Sequence, residues 1–217
     1  MDKQWWLLLV LAITIGCGSG QTGQQPTTTD TDSQQQANED SAEEEKTTTD
    51  GALSDKQVAT VLAQYLGKWE GTSLIKGPDG DVQAEFPCTY ANEWLHHGKS
   101  IEMQFTEKPP QGDQKLIFTK WYDSKQKRFL VTRRLPGEEE PAKPGAYETY
   151  DAVTNTFDGV VLHGLPPGAS FTWTSKWINQ DKYIYTHEFR QDGKVQQTSI
   201  NTYERAQPAP AKPAVAK

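Results

Sequence analysis

The sequence predicts an all-β domain: an antiparallel up-and-down β-barrel of about ten strands with one short N-terminal helix. Three observations carry this. Beyond Gly67 the chain divides into about ten short runs of strand-forming residues, separated by turn signatures at the spacing that antiparallel neighbours require. Within those runs apolar and polar residues alternate. Ile101, Met103 and Phe105 oppose Ser100, Glu102 and Gln104, while Phe171, Trp173 and Trp177 oppose Thr172, Thr174 and Lys176. Two unlike faces suit a meander curled on itself, with a two-sheet sandwich as the alternative. Finally, the chain holds only two cysteines, Cys17 in the leader and Cys88 in the domain. If Cys17 is modified, Cys88 stands alone, and the domain must rest on an apolar core, for which about 150 residues suffice.

The elements follow in order. Residues 1–17 read as an export signal: Lys3 precedes the apolar run Trp5 to Ile15, and Gly16 meets Cys17. The run falls short of the ~20 apolar residues that a membrane-spanning helix needs. Thr14-Ile15-Gly16-Cys17 resembles the lipobox of bacterial lipoproteins; Gly16 and Cys17 fit, whereas Thr14 and Ile15 depart from the usual Leu and small residue. The resemblance implies that Cys17 is lipidated, that the chain is exported, and that it is held on the cell-envelope membrane.

Residues 18–52 form an acidic tether. From Gly18 to Asp50 there is no aromatic residue, Leu, Ile or Val. Such a segment cannot bury enough surface to offset the entropy of ordering it, so disorder is expected. Asp30, Asp32, Glu39, Asp40, Glu43, Glu44, Glu45 and Asp50 against the single Lys46 account for the whole net charge of −7. Acids and bases in the rest of the chain balance. No basic excess remains to neutralise phosphates, so a nucleic-acid partner is not expected. At the other end, residues 206–217, rich in Pro, Ala and Lys, read as a solvated tail.

Residues 53–205 are the barrel. Ser54 with Gln57 makes a capping box, and Val58, Val61, Leu62, Tyr65 and Leu66 follow at helical spacing until Gly67. Strands are expected at 68–75, 82–95, 100–106, 115–122, 128–135, 146–151, 156–162, 170–178, 182–190 and 194–203. The turn signatures between them include Gly77-Pro78-Asp79-Gly80 and Gln191-Asp192-Gly193.

At the junction of helix and first strand stands Gly67-Lys68-Trp69-Glu70-Gly71, and the last strand ends in Tyr203-Glu204-Arg205. Gly67 and Trp69 resemble the Gly-x-Trp of lipocalins and other calycins. There the Trp plugs the closed end of the barrel and an Arg from the last strand packs over it, so the resemblance implies barrel closure by Gly67, Trp69 and Arg205. The full Gly-x-Trp-x-Gly opening is similar to that of the DUF1579 family of bacterial domains, a name that implies no activity. Nitrobindin-type haem barrels open in the same way but carry a further glycine where Ser73 stands here.

Chemical signatures are sparse. There is no Gly-x-Ser-x-Gly, no His-Glu-x-x-His and no phosphate-cradling glycine loop, so an enzyme is not expected. His96 and His97 are adjacent and point apart on a strand, and His163 lies in a loop; no metal site or cofactor is expected. His187 is the best buried candidate, on a strand face with Tyr183, Tyr185 and Phe189. Glu85, Glu93, Glu102 and Glu188 with Lys120, Arg133 and Arg134 are expected to form an exterior salt-bridge ladder, and Cys88 to be buried in a strand.

The aromatic residues are more telling. Trp121, Trp173, Tyr183 and Tyr185 combine apolar area with polar tips, the lining an amphipathic pocket needs. Together with His187 they are the expected ligand-binding residues, at the end of the barrel opposite Trp69. The expected role is non-catalytic capture of a small apolar or amphipathic molecule. The alternatives are an envelope interaction module with a filled barrel and, third, an enzyme or haem-binding barrel.

Overall fold

The computed structural model describes residues 51–206. The leader with Cys17, the tether to residue 50 and the tail from residue 207 lie outside the described residues. Among the described residues one helix, α1 (Asp55–Ala63), precedes ten strands: β1 (Gly67–Lys76), β2 (Val82–His96), β3 (Ser100–Glu107), β4 (Gln114–Asp123), β5 (Arg128–Arg134), β6 (Ala146–Asp151), β7 (Thr156–Val161), β8 (Ala169–Asn179), β9 (Lys182–Gln191) and β10 (Lys194–Arg205). Each strand pairs antiparallel with the next, and β1 pairs with β10 to close the barrel. The sandwich alternative therefore falls: the strands form one sheet without edges, which removes the hazard of exposed edge pairing.

Helix α1 starts where its capping box places it. The Ser54 side chain accepts from Gln57 N–H, and Gln57 reaches back to Ser54 N–H. It ends at Ala63, earlier than the expected stop at Gly67; Tyr65 and Leu66 turn the chain through bonds to Leu62 and Ala63 carbonyls. Gly67 instead makes the sharp entry into β1 at φ 98°, a left-handed conformation that an L side chain resists. Val58, Val61 and Leu62 are buried as the apolar stripe of α1.

The alternation within strands turns one set of side chains inward. Ile101, Met103 and Phe105 are buried, as are Phe171, Trp173 and Trp177. The weakest seam lies between β5 and β6, where only Phe129, Leu130 and Val131 find partners. Beyond it the chain from Leu135 folds over the outer face, and Glu140 accepts hydrogen bonds there from Thr119 and Thr132 and pairs with Arg134 at 3.0 Å.

Candidate functional site

At one end the barrel is plugged. Trp69 is fully buried, its indole N–H donates to the Tyr65 carbonyl at 2.8 Å, and its ring meets Trp177 and Tyr183 edge-on at 5.5 and 5.0 Å. Arg205 is the register partner of Trp69 across β1 and β10, and its guanidinium lies 4.2 Å from the indole centroid. The same guanidinium donates to the carbonyls of Leu66, Gln64 and Gln180 and to the Asp181 carboxylate. It thus caps the backbone that the end of α1 and the β8–β9 turn leave open, as well as covering the ring. Gly71 is needed for the same packing: a Cβ there would lie 2.2 Å from the Thr202 carbonyl oxygen and 2.9 Å from the Tyr203 ring.

Tyr183, expected at the opposite end, belongs to this plug. It stacks on Tyr203 at 4.8 Å and touches Trp69 and Trp177. Trp121 does not face the interior at all. Alternation assigns the inward position on β4 to Lys120, so Trp121 points outward beside the register partners Ser100 and Leu130. There it helps line a surface groove of ≈ 670 Å³ with Leu53, Leu95, Lys99 and Pro144. The expected wall therefore keeps Trp173, Tyr185 and His187 and loses Trp121 and Tyr183.

Trp173 and His187 sit on one level of the barrel, and Tyr185 lies two residues before His187 on β9, paired with Ser175 and Asn201. A continuous row of register partners runs from Ser199 on β10 through His187 on β9, Trp173 on β8 and Gly159 on β7 to Glu148 on β6. All five residues are buried. The Trp173 indole N–H donates to Glu148 at 2.7 Å, and Glu148 pairs with Lys120 at 2.6 Å, both partners almost wholly removed from water. The Lys120 ammonium lies 4.0 Å from the Tyr65 ring centroid and 4.7 Å from that of Phe157. Burial lowers the Lys120 pKa, and Glu148 opposes that fall. Gly159 makes room for the indole: a Cβ there would come within 1.9 Å of it.

His187 is treated differently. Its ring packs against Phe171 at 4.9 Å and Tyr185 at 5.6 Å, it is only 8% exposed, and its Nε2 has no hydrogen-bond partner. Burial alone pushes its pKa down from 6.5 to about 4, so the imidazole is neutral at physiological pH. Beside it, Ser199 Oγ donates to Asn201 Oδ1 at 2.8 Å, Ser73 Oγ approaches the same oxygen at 3.0 Å, and Asn201 donates to the Tyr203 hydroxyl. Near Ser73, burial raises Glu107 from 4.5 to about 7.

Lys120, Glu148, Ser199 and Asn201 are the site residues that sequence reasoning missed. Lys120 was expected on the exterior ladder; it faces inward, as does Arg133, which shares the face of Phe129 and Val131. Arg134 with Glu102 at 2.7 Å and Arg190 with Glu188 at 2.6 Å do form ion pairs away from the core. Strand parity was the available signal: Lys120 is two residues from Phe118 and Tyr122 on the face opposite Trp121. Among the described residues, no three His, Cys, Asp or Glu side chains converge as a metal site.

No family model matches the chain, and no curated protein matches it. Solved structures do. The S-type phycobiliprotein lyase CPES from Guillardia theta is similar at 11% identity over 72% of this chain and 99% of that one, with a TM-score of 0.51. The siderocalin Ex-FABP is similar at 12% identity, 68% of this chain and 78% of that one, TM-score 0.26. A DUF3598 protein from Nostoc punctiforme is similar at 12% identity, 68% and 98%, TM-score 0.23. At such identities the likeness is one of fold alone, a closed antiparallel β-barrel.

Proposed function

We propose that this barrel takes a small apolar or amphipathic molecule into its interior without converting it chemically. The observation that carries the reading is His187, a neutral imidazole with an unpartnered Nε2, buried beside the aromatic rings of Phe171, Trp173 and Tyr185. A buried polar atom without a partner costs stability unless something else satisfies it, and a bound molecule does so. Rings with a few polar tips are the lining that buries an amphipathic ligand without stranding its hydrogen-bonding groups.

A panel of environment-sensitive fluorescent probes, spanning fatty-acid, retinoid and aromatic dyes, tests the reading. At least one should bind at about micromolar Kd or tighter. Trp173→Ala or Tyr185→Ala should weaken that binding while the domain stays folded. If no probe binds, the reading falls. The outward Trp121 in its groove favours a second reading, an envelope module that acts through its outer surface. That reading then takes over.

The proposal includes the location. The lipobox-like Thr14 to Cys17 supports an exported protein anchored to the membrane through lipid on Cys17, and Gly18 after the cysteine favours the outer membrane of a Gram-negative envelope. The Gly67-x-Trp69-x-Gly71 opening supports kinship with the DUF1579 domains. Metabolic labelling with a clickable fatty acid should mark the wild type and spare Cys17→Ser; equal labelling of both would refute the anchor.

A further inference from the structure

We propose that the molecule held at the His187 level is an uncharged hydroxyaromatic, a flat ring system whose O–H meets His187 Nε2 and Ser199 while its face lies against the β8–β9 rings. This deepens the carrier reading and rests on it. The wall is rigid and built of rings. Trp173 is pinned between the Gly159 backbone and its bond to Glu148, and Glu148 is itself held by Lys120. The Phe171 and His187 rings stand 4.9 Å apart at 39° and Trp173 and Tyr185 6.5 Å apart at 34°, while Tyr185 meets His187 at 78° and Phe171 meets Trp173 at 55°. Fixed rings presenting both faces and edges favour a ring partner, because a flexible chain would lose its own entropy without gaining such contacts.

The polar part of the level selects the hydroxyl. Ser199 donates its proton to Asn201, so its remaining capacity is that of an acceptor. His187, being neutral, offers at Nε2 either a lone pair or a proton, according to tautomer. A hydroxyl group serves both cases: it donates to Nε2, or it donates to Ser199 and accepts from Nε2–H. Neither a carboxylate nor an ammonium does this. Lys120 and Glu148 neutralise each other, so this pair offers no net charge to hold a charged head group.

Calorimetric titration of the full chain with β-naphthol, its methyl ether and laurate tests this. The ether keeps the ring and removes the donor; laurate supplies a flexible chain with a charged head. β-Naphthol should bind at least about tenfold tighter than the ether, because a site built around a hydroxyl rejects the analogue without one. The preference should shrink to within about threefold in His187→Phe, and in Ser199→Ala should His187→Phe fail to fold. Equal binding of naphthol and ether, or a preference unchanged in whichever variants fold, overturns the hydroxyl assignment. If laurate binds and the naphthols do not, the hydroxyaromatic class falls and the carrier reading stands. If none of the three binds, both fall.

Discussion

The plugged end and the His187 level are built from the same kinds of residue and arrive at opposite outcomes. At the plug, Tyr65, Trp69, Trp177, Tyr183 and Tyr203 pack ring on ring, and Arg205 covers the last indole face while donating to three carbonyls. One level further into the barrel, Trp173, Tyr185 and Phe171 again supply rings, but the polar groups among them are an ion pair, a serine–asparagine ladder and an imidazole with an unpartnered nitrogen. Each region leaves buried polar atoms unpartnered, the Tyr65 hydroxyl and Trp177 Nε1 at the plug and His187 Nε2 at the level beyond. The difference lies in what surrounds them: at the plug further rings and Arg205 fill the space, whereas beyond it an ion pair and the Ser199–Asn201 groups stand beside the rings. Neither aromatic content nor an unpartnered atom by itself marks a binding site; the combination of rings with several polar groups does.

The contrast can be tested from its largest expected effect downward. Trp69→Ala should cost ~3 to 5 kcal/mol by chemical denaturation, because it removes the largest buried side chain of the plug. Arg205→Ala, at a half-exposed position, should cost about 1 to 2 kcal/mol. The double variant should cost less than the sum, since the two groups touch at 4.2 Å. Strict additivity would separate them.

Breaking the ion pair at the His187 level should also be severe. Lys120→Met strands Glu148 in the interior, at a cost of ~3 to 5 kcal/mol, whereas Lys120→Met combined with Glu148→Gln should recover most of that loss. If the double variant is no more stable than the single one, the charges are not what the pair contributes. Gly159→Ala should cost less, ~1 to 3 kcal/mol, by driving a methyl into the Trp173 ring. Tryptophan fluorescence should report the displaced indole; an unchanged spectrum would show that the ring is not pinned.

Two buried groups, His187 and Glu107, should give opposing pH dependences. His187 is neutral in the fold down to about pH 4 and protonates near 6.5 when unfolded, so the unfolded chain binds more protons between those values. Stability is therefore lost as pH falls through that window, by up to roughly 3 kcal/mol. Glu107 runs the other way: its folded pKa of about 7 lies above the unfolded 4.5, and stability is lost as pH rises between them. The wild type should be nearly flat from pH 4.5 to 6.5. His187→Phe should then lose stability as pH rises, and Glu107→Gln should lose it as pH falls. A variant profile as flat as the wild type would show that the group it removes does not titrate as argued.

Some of this architecture is legible in the chain alone. The capping box at Ser54 and Gln57, the order and approximate bounds of ten strands and the Gly67-Trp69 junction follow from local signals, because capping, turn chemistry and side-chain alternation act between residues close in sequence. The fate of Trp121 and Lys120 does not. Their order on β4 says that they face opposite ways, but which face is interior depends on how β4 pairs with β3 and β5, and a shift of one residue would exchange them. Tyr183 and Tyr185 likewise share a face of β9, and only the tilt and pairing of β8, β9 and β10 assign one to the plug and the other to the wall. The sequence by itself determined an all-β domain with one short N-terminal helix and a Trp-bearing first strand. Tertiary structure decided that Glu148 would meet Lys120 and Trp173 and that His187 Nε2 would go unpaired, since those contacts join residues 25 or more positions apart and arise only when the barrel closes.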